Sequence, residues 1–391
     1  MSRANDVTLI PTIHPVRLLS AMMVLTGLCL LAWVGAHQSG LLQAGVLAAV
    51  GFSIFLAPFS AILGALALVS RRNGLAEMFS QYYLLFRELT KFILPNDFGF
   101  TGIAVTNLAV LAVSEGRFID ARELLTEKCT LRIDQALKVS LLGQICAFTG
   151  DTEQALQKLA EARQLVVDAS GDQPDNTHMQ ALAEFYSNEC GLLPDIGKPE
   201  QAIESGLKGL HLREKFCGAE SYEVAKTLNN VGYAQIKAGK FTDACATLER
   251  AYGIAKKLSK ESDYAGGNII NNLGCALYET GQRERAFELL LTACSLPADG
   301  PFERGYREYT LAHALAGNDK HLDAARHCAK AFRFWRHVQG LNHPDYRECV
   351  SLYAECLKKI GKHTELEKVL DALRKLERGE HVPPKAMPLI R

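Results

Sequence analysis

The chain has no CxxC pair, no net charge and no catalytic signature, and each absence closes a class of function. Its eleven cysteines are scattered over 391 residues, so their spacing outlines neither a zinc site nor a redox couple. Free, reduced thiols are the expectation. With 43 basic and 43 acidic side chains, there is no electrostatic footprint for nucleic acid or for an acidic surface. No P-loop, GxSxG, HExxH or GxGxxG occurs. The expectation is therefore no enzyme, no cofactor, no catalytic or metal-binding residue and no small-molecule substrate.

A second absence is local. Between Arg17 and Arg71 there is no Asp, Glu, Lys or Arg. The gap divides into two apolar runs, 18–36 and 44–69, parted by a short polar break. Each is long enough at about 1.5 Å per residue to cross roughly 30 Å of hydrocarbon. Two transmembrane helices in a hairpin are the expectation, since a cleaved signal peptide at the first run would leave the second unexplained. Arg3 and Arg17 precede the hairpin, Arg71 and Arg72 follow it, and the connecting loop has no basic residue. By the positive-inside rule the 1–17 segment and everything after residue 69 are cytoplasmic, which makes an integral membrane protein with two spans. A run with Phe79, Tyr82, Tyr83 and Phe86 reads as a juxtamembrane amphipathic helix over 74–94, which either lies along the headgroups or covers the first repeat.

From 102 to 376 the sequence repeats. One anchor can be placed in each of seven units, at Ala121, Ala155, Ala202, Ala244, Ala286, Ala324 and Leu366. Seven residues after the anchor, two helical turns along the same face, five units carry a second small residue: Ala162, Gly209, Ala251, Ala293 and Ala331. Twelve before it stand Ala109, Gly143, Cys190, Gly232, Gly274, Ala312 and Ala354. Small residues on both helices allow close crossing. Five before the anchor, six of seven units have glycine, at 116, 150, 197, 239, 281 and 361, with Asp319 in the remaining one. Glycine ends a helix in the left-handed conformation at little steric cost, so each unit reads helix, stop, helix.

This joint pattern resembles the tetratricopeptide repeat family, and its 42-residue steps resemble the repeats of kinesin light chains. GAESYEVAKTLNNVGYAQIKAGKFTDA and GLNHPDYRECVSLYAECLKKIGKHTEL carry that wording. The resemblance implies an all-α fold, a right-handed solenoid of about seven helix pairs, whose concave wall binds a peptide or protein. Leu366, where alanine is usual, marks a closing cap. The last segment, 377–391, reads as a flexible tail.

Two residues before the small position of the first helix stand Asn107, Asn188, Asn230 and Asn272. The resemblance places such residues on the concave wall, where an amide can both donate to and accept from a peptide backbone. An equal alternative has the same amides bridging neighbouring helices. Lys226, Asn229, Tyr233 and Lys237 share or border the wall in one unit, with Asn268 and Asn271 in the next. His321, His327 and Cys328 lie close together but lack a fourth metal ligand at suitable spacing. The expected function is a membrane-anchored interaction scaffold. The alternative is a regulatory or assembly subunit that contacts a membrane enzyme or transporter through the hairpin.

Overall fold

The computed structural model describes residues 100–125, 132–170, 176–298 and 300–390. Among them are fourteen α-helices and no strand, a tetratricopeptide-like solenoid of seven helix pairs. The first two pairs are α1 (Phe100–Ser114) with α2 (Phe118–Leu124) and α3 (Arg132–Phe148) with α4 (Thr152–Ser170). The next two are α5 (Asn176–Leu192) with α6 (Pro199–Cys217) and α7 (Tyr222–Lys237) with α8 (Phe241–Lys257). Then come α9 (Tyr264–Glu279) with α10 (Arg283–Ser295), α11 (Pro301–Ala316) with α12 (His321–Trp335), and α13 (Pro344–Lys359) with α14 (His363–Glu377). The described residues fall into two compact units, one of 112–120 and the described residues from 139 to 390, the other of 100–111, 121–125 and 132–138. The helix pairs from Val139 onward belong to the first.

All six glycine stops take the left-handed conformation, and so does Asp319 in the seventh position, with φ of 57°. At Gly239 the chain turns with Gly239 N donating to Ile236 O and Lys240 N to Gln235 O, at 2.9 and 2.8 Å. This pair of bonds satisfies carbonyls that the helix end would otherwise strand. First helices are opened by side-chain caps: Ser221 accepts from Val224 N at 3.3 Å and Asp263 accepts from Gly266 N at 2.9 Å.

The anchors lie where the helices cross. Ala155, Ala202, Ala244, Ala286 and Ala324 are all fully buried. In the pairs anchored by Ala244 and Ala286, a leucine four residues after the anchor fills the slot left by the glycine opposite. Leu248 packs on Gly232 and Leu290 on Gly274, where an added Cβ would meet Leu248 Cδ2 at 2.6 Å and Leu290 Cγ at 2.8 Å. Ala244, Leu248, Leu273, Ala276, Leu277 and Ala286 then form one apolar cluster running from one pair into the next.

Two sequence expectations are corrected. The segment after α14 is not a flexible tail: Tyr346 and Tyr353 donate their hydroxyls to Val382 O and Pro388 O, at 2.9 and 2.8 Å, and Val382, Met387 and Ile390 are buried. The returning segment covers apolar surface that an eighth pair would otherwise cover. The second correction concerns location. The expected spans at 18–36 and 44–69, and the helix at 74–94, lie outside the described residues. Among the described residues no helix is long and apolar enough to cross a membrane. The most apolar, α1, has 15 residues, short of the roughly 20 that a bilayer core requires. An integral membrane location with a cytoplasmic solenoid is therefore not retained.

Two glycine-to-alanine changes should move stability in opposite directions. Gly253, in α8, has no neighbour within 4 Å of an added Cβ, so Gly253→Ala should stabilise by about 0.5 to 1 kcal/mol. Gly232→Ala forces Leu248 aside and should destabilise by about 1 to 3 kcal/mol. Thermal unfolding of the full chain checks both, and equal midpoints would contradict the assigned crossing.

Candidate functional site

The first helices α5, α7, α9, α11 and α13 form a wall that a polar seam ties together from pair to pair. Asn230 Nδ2 donates to Ser187 O at 2.9 Å, and the hydroxyls of Ser187 and Thr227 lie 3.2 Å apart. Asn272 Nδ2 donates to Asn229 Oδ1 at 3.0 Å. Thr310 Oγ1 donates to Asn271 Oδ1 at 2.6 Å. These partners stand about forty residues apart, one repeat along the chain.

Arg307 is the strongest member of the seam. Its guanidinium, 2% exposed, gives Asn268 Oδ1 two bonds, from Nε at 3.3 Å and from Nη2 at 2.9 Å. Its Nη1 donates to the carbonyls of Ala293, Leu296 and Pro297, at 3.0, 3.1 and 2.9 Å. The last carbonyls of α10 have no intrahelical donor, and a cation at a helix C-terminus also meets the negative end of its dipole. Arg307 thus caps one helix while fastening two others.

The nine residues expected to bind a partner therefore fall into two groups. Asn188, Asn229, Asn230, Asn268, Asn271 and Asn272 are all buried, and five of these six amides are engaged with neighbouring helices. Tyr233 is buried too, its hydroxyl donating to Asp195 Oδ1 at 2.5 Å. Lys226 is half-buried, its Nζ 5.7 Å from the Tyr222 ring centroid. Lys237, 23% exposed, reaches across to α13, where it donates to Asp345 Oδ1 at 2.7 Å.

Around Lys237 the wall carries a buried charged cluster that sequence reading did not find. His343 lies with Nε2 3.4 Å from Asp195 Oδ2 and Nδ1 3.4 Å from Asp345 Oδ2. The same Nδ1 accepts from Asp345 N at 3.2 Å and caps α13. Glu348 accepts from Tyr309 at 2.8 Å, and the Tyr306 ring packs edge-on against Tyr233, 6.3 Å between centroids. Burial alone would push the Lys237 ammonium pKa down. The carboxylates of Asp345, Glu348 and Asp195 outweigh it and hold the pKa above the ordinary lysine value. The HPD triplet around His343 is visible in the sequence, but nothing local announces that Asp195 and Lys237 meet it.

Burial pushes the Cys275 thiol up to about 12, with the Glu279 carboxylate adding to it, so the reactive thiolate is scarce at neutral pH. Among the described residues no group of His, Cys, Asp and Glu has the arrangement of a metal site. His327 instead faces Glu308, 2.6 Å away, and Cys328 is buried.

The tetratricopeptide repeat model matches residues 223–297, the pairs that hold the centre of the seam. A 197-residue stretch, 48% of this chain, is 23% identical to a clustered mitochondria protein homolog of Lodderomyces elongisporus, and the match spans only 14% of that protein. Among solved structures, NprR in complex with its cognate peptide NprX is similar with a TM-score of 0.54 at 12% identity, covering 80% of this chain and 87% of that one. The nearly identical repeats of a Podosopora anserina putative kinesin light chain give 0.38 at 17% identity, covering 52% and 97%. Residues 223–297 thus carry tetratricopeptide repeats.

Loss of a seam amide should appear in stability. Asn272→Ala leaves Asn229 Oδ1 without its buried donor, and the full chain should lose about 1 to 3 kcal/mol, read as a lowered melting temperature. An unchanged melting temperature would show that the amide bridge contributes nothing to the fold.

Proposed function

We propose that the chain is a non-enzymatic protein-interaction scaffold whose first-helix wall receives a peptide or protein segment. The observation that carries this reading is the Lys237–Asp345 bond. A residue of the wall holds a carboxylate 108 positions along the chain, and a wall that holds a segment of its own polypeptide has the chemistry to hold another's. The peptide in the NprR complex supports the same use of the fold. In this reading the buried asparagines and Tyr233 set the spacing of the wall, while Lys226 and Lys237, with their rim, meet the partner. Mixed charge along the wall, Lys237 against Glu279 and Glu348, disfavours a ligand of uniform sign.

Site-specific photo-crosslinking checks the reading. A photoreactive residue at Glu279, exposed on α9, should form protein adducts in cells. The same residue at Glu288, exposed on the second helix α10, should form none. Adducts from Glu288 alone would move the partner to the outer helices and overturn the proposal.

A further inference from the structure

In a solenoid each repeat is stabilised by its immediate neighbours. This one has in addition a set of contacts between pairs far apart in sequence. Gln339 N donates to Gly116 O at 2.7 Å, and Asn342 N donates to Phe148 O at 3.0 Å. Ile119 N donates to Gln339 Oε1 at 3.1 Å. Phe148 stacks on Phe118 with centroids 4.8 Å apart, meets Phe302 edge-on at 4.8 Å, and lies 5.4 Å from the His343 ring. The fit is close: a Cβ on Gly116 would lie 3.1 Å from Val338 Cα, and one on Gly150 would lie 2.6 Å from Asn342 Nδ2. The loop between α12 and α13 thus lies against the turns of the first two pairs, and Asp345 at its end is bonded to Lys237.

Two features make these contacts separable from the fold. None of the contacts that the loop between α12 and α13 makes with the first two pairs is a neighbour contact, so breaking them leaves the Phe118–Phe148 stack, the polar seam and every helix crossing from α5 to α12 in place. They are also incompletely satisfied. His343 Nε2 and Asp345 Oδ2 are buried with no aligned hydrogen bond, at 1% and 0% side-chain exposure. Unmet buried polar atoms raise the free energy of the closed arrangement relative to one in which water reaches them. Sub-global opening draws on such weakly secured elements.

We propose that residues 338–345 are a clasp that opens without unfolding, and that the surface beneath it is a peptide-binding site which the clasp occupies in cis. The proposal rests on the reading of the first-helix wall as the partner's place. The site consists of the Gly116 and Phe148 carbonyls, the apolar surface made by the touching Phe148 and Phe302 rings, against which His343 packs, and the Lys237 ammonium beside Asp195. The fitting ligand is an irregular segment with two free backbone amides, a ring for that surface and a carboxylate two residues beyond it, as His343 and Asp345 supply. Any partner using this site must displace the loop, so closure sets an intramolecular competition at an effective concentration of order millimolar.

Hydrogen exchange on the unmodified full chain tests the opening. The amides of Gln339 and Asn342 should exchange on the order of a hundredfold faster than that of the buried Leu273 in α9. Exchange in step with Leu273 would mean that they open only when the molecule unfolds, and would overturn the clasp. Occupancy is tested with a fluorescent synthetic peptide of residues 337–346, HVQGLNHPDY, added to the full chain. Asp345→Asn weakens the cis contact and should bind this peptide about tenfold more tightly than the natural sequence does. Ile119→Cys with Gln339→Cys, joined by a cleavable thiol cross-linker in a Cys217→Ser background, should bind none until the linker is cleaved. Equal binding before and after cleavage would overturn the assigned site. The scaffold reading fails separately, through missing adducts at Glu279, while the exchange and peptide results are independent of any cellular partner.

Discussion

Two helices can cross closely only where the residues between them are small, and among the described residues the pairs anchored by alanine depend on that constraint. Ala155, Ala202, Ala244, Ala286 and Ala324 are the points of approach, with no solvent exposure. Across from them Gly143, Gly232 and Gly274 leave slots, and Leu159, Leu248 and Leu290 fill three of them. A larger side chain at either position would separate the helices. The apolar cluster that links successive pairs would then lose its contacts. Because each pair repeats the arrangement, the register of one crossing sets the register of the next.

On that frame the wall of first helices is joined by polar rather than apolar contacts. The Asn230–Ser187, Asn272–Asn229 and Thr310–Asn271 bonds are directional, and they specify which turn of one helix meets which turn of the next. Apolar packing alone tolerates sliding. A buried amide that loses its partner does not. Arg307 applies the same logic at higher charge, since its guanidinium donors are matched by carbonyl and amide oxygens drawn from α9, α10 and the loop after it. The same bonds that align the helices consume the amides that an unbound wall would offer to a ligand.

The charged groups of the wall are concentrated around Lys237, where Asp195, His343, Asp345 and Glu348 gather. Here the solenoid departs from nearest-neighbour organisation, with an acidic residue of the seventh pair seated on the fourth. Under the proposed function, this cluster links the packing of the repeats to recognition: a site filled by the chain itself would be pre-shaped for a segment of similar chemistry, with an affinity set by the stability of closure.

The repeat was legible in the sequence because its determinants are local. The glycine stops, the small anchors and the caps at Ser221 and Asp263 act within one helix pair and recur at nearly constant spacing. They set helix number, helix ends and crossing points. The Asn positions were readable as a row, but not the direction of each amide, because a residue on the first helix can face either a neighbouring helix or an open wall. That choice depends on how tightly adjacent pairs pack. The contacts from Lys237 to Asp345, from Asp195 to His343 and from Phe148 to Asn342 join residues 108, 148 and 194 positions apart, and the tail returns over Tyr346 and Tyr353. Such contacts depend on small rotations accumulated over several repeats, to which no single repeat's sequence is sensitive. Local periodicity by itself determined a seven-pair helical solenoid, and only the tertiary structure decided which of its faces are already occupied.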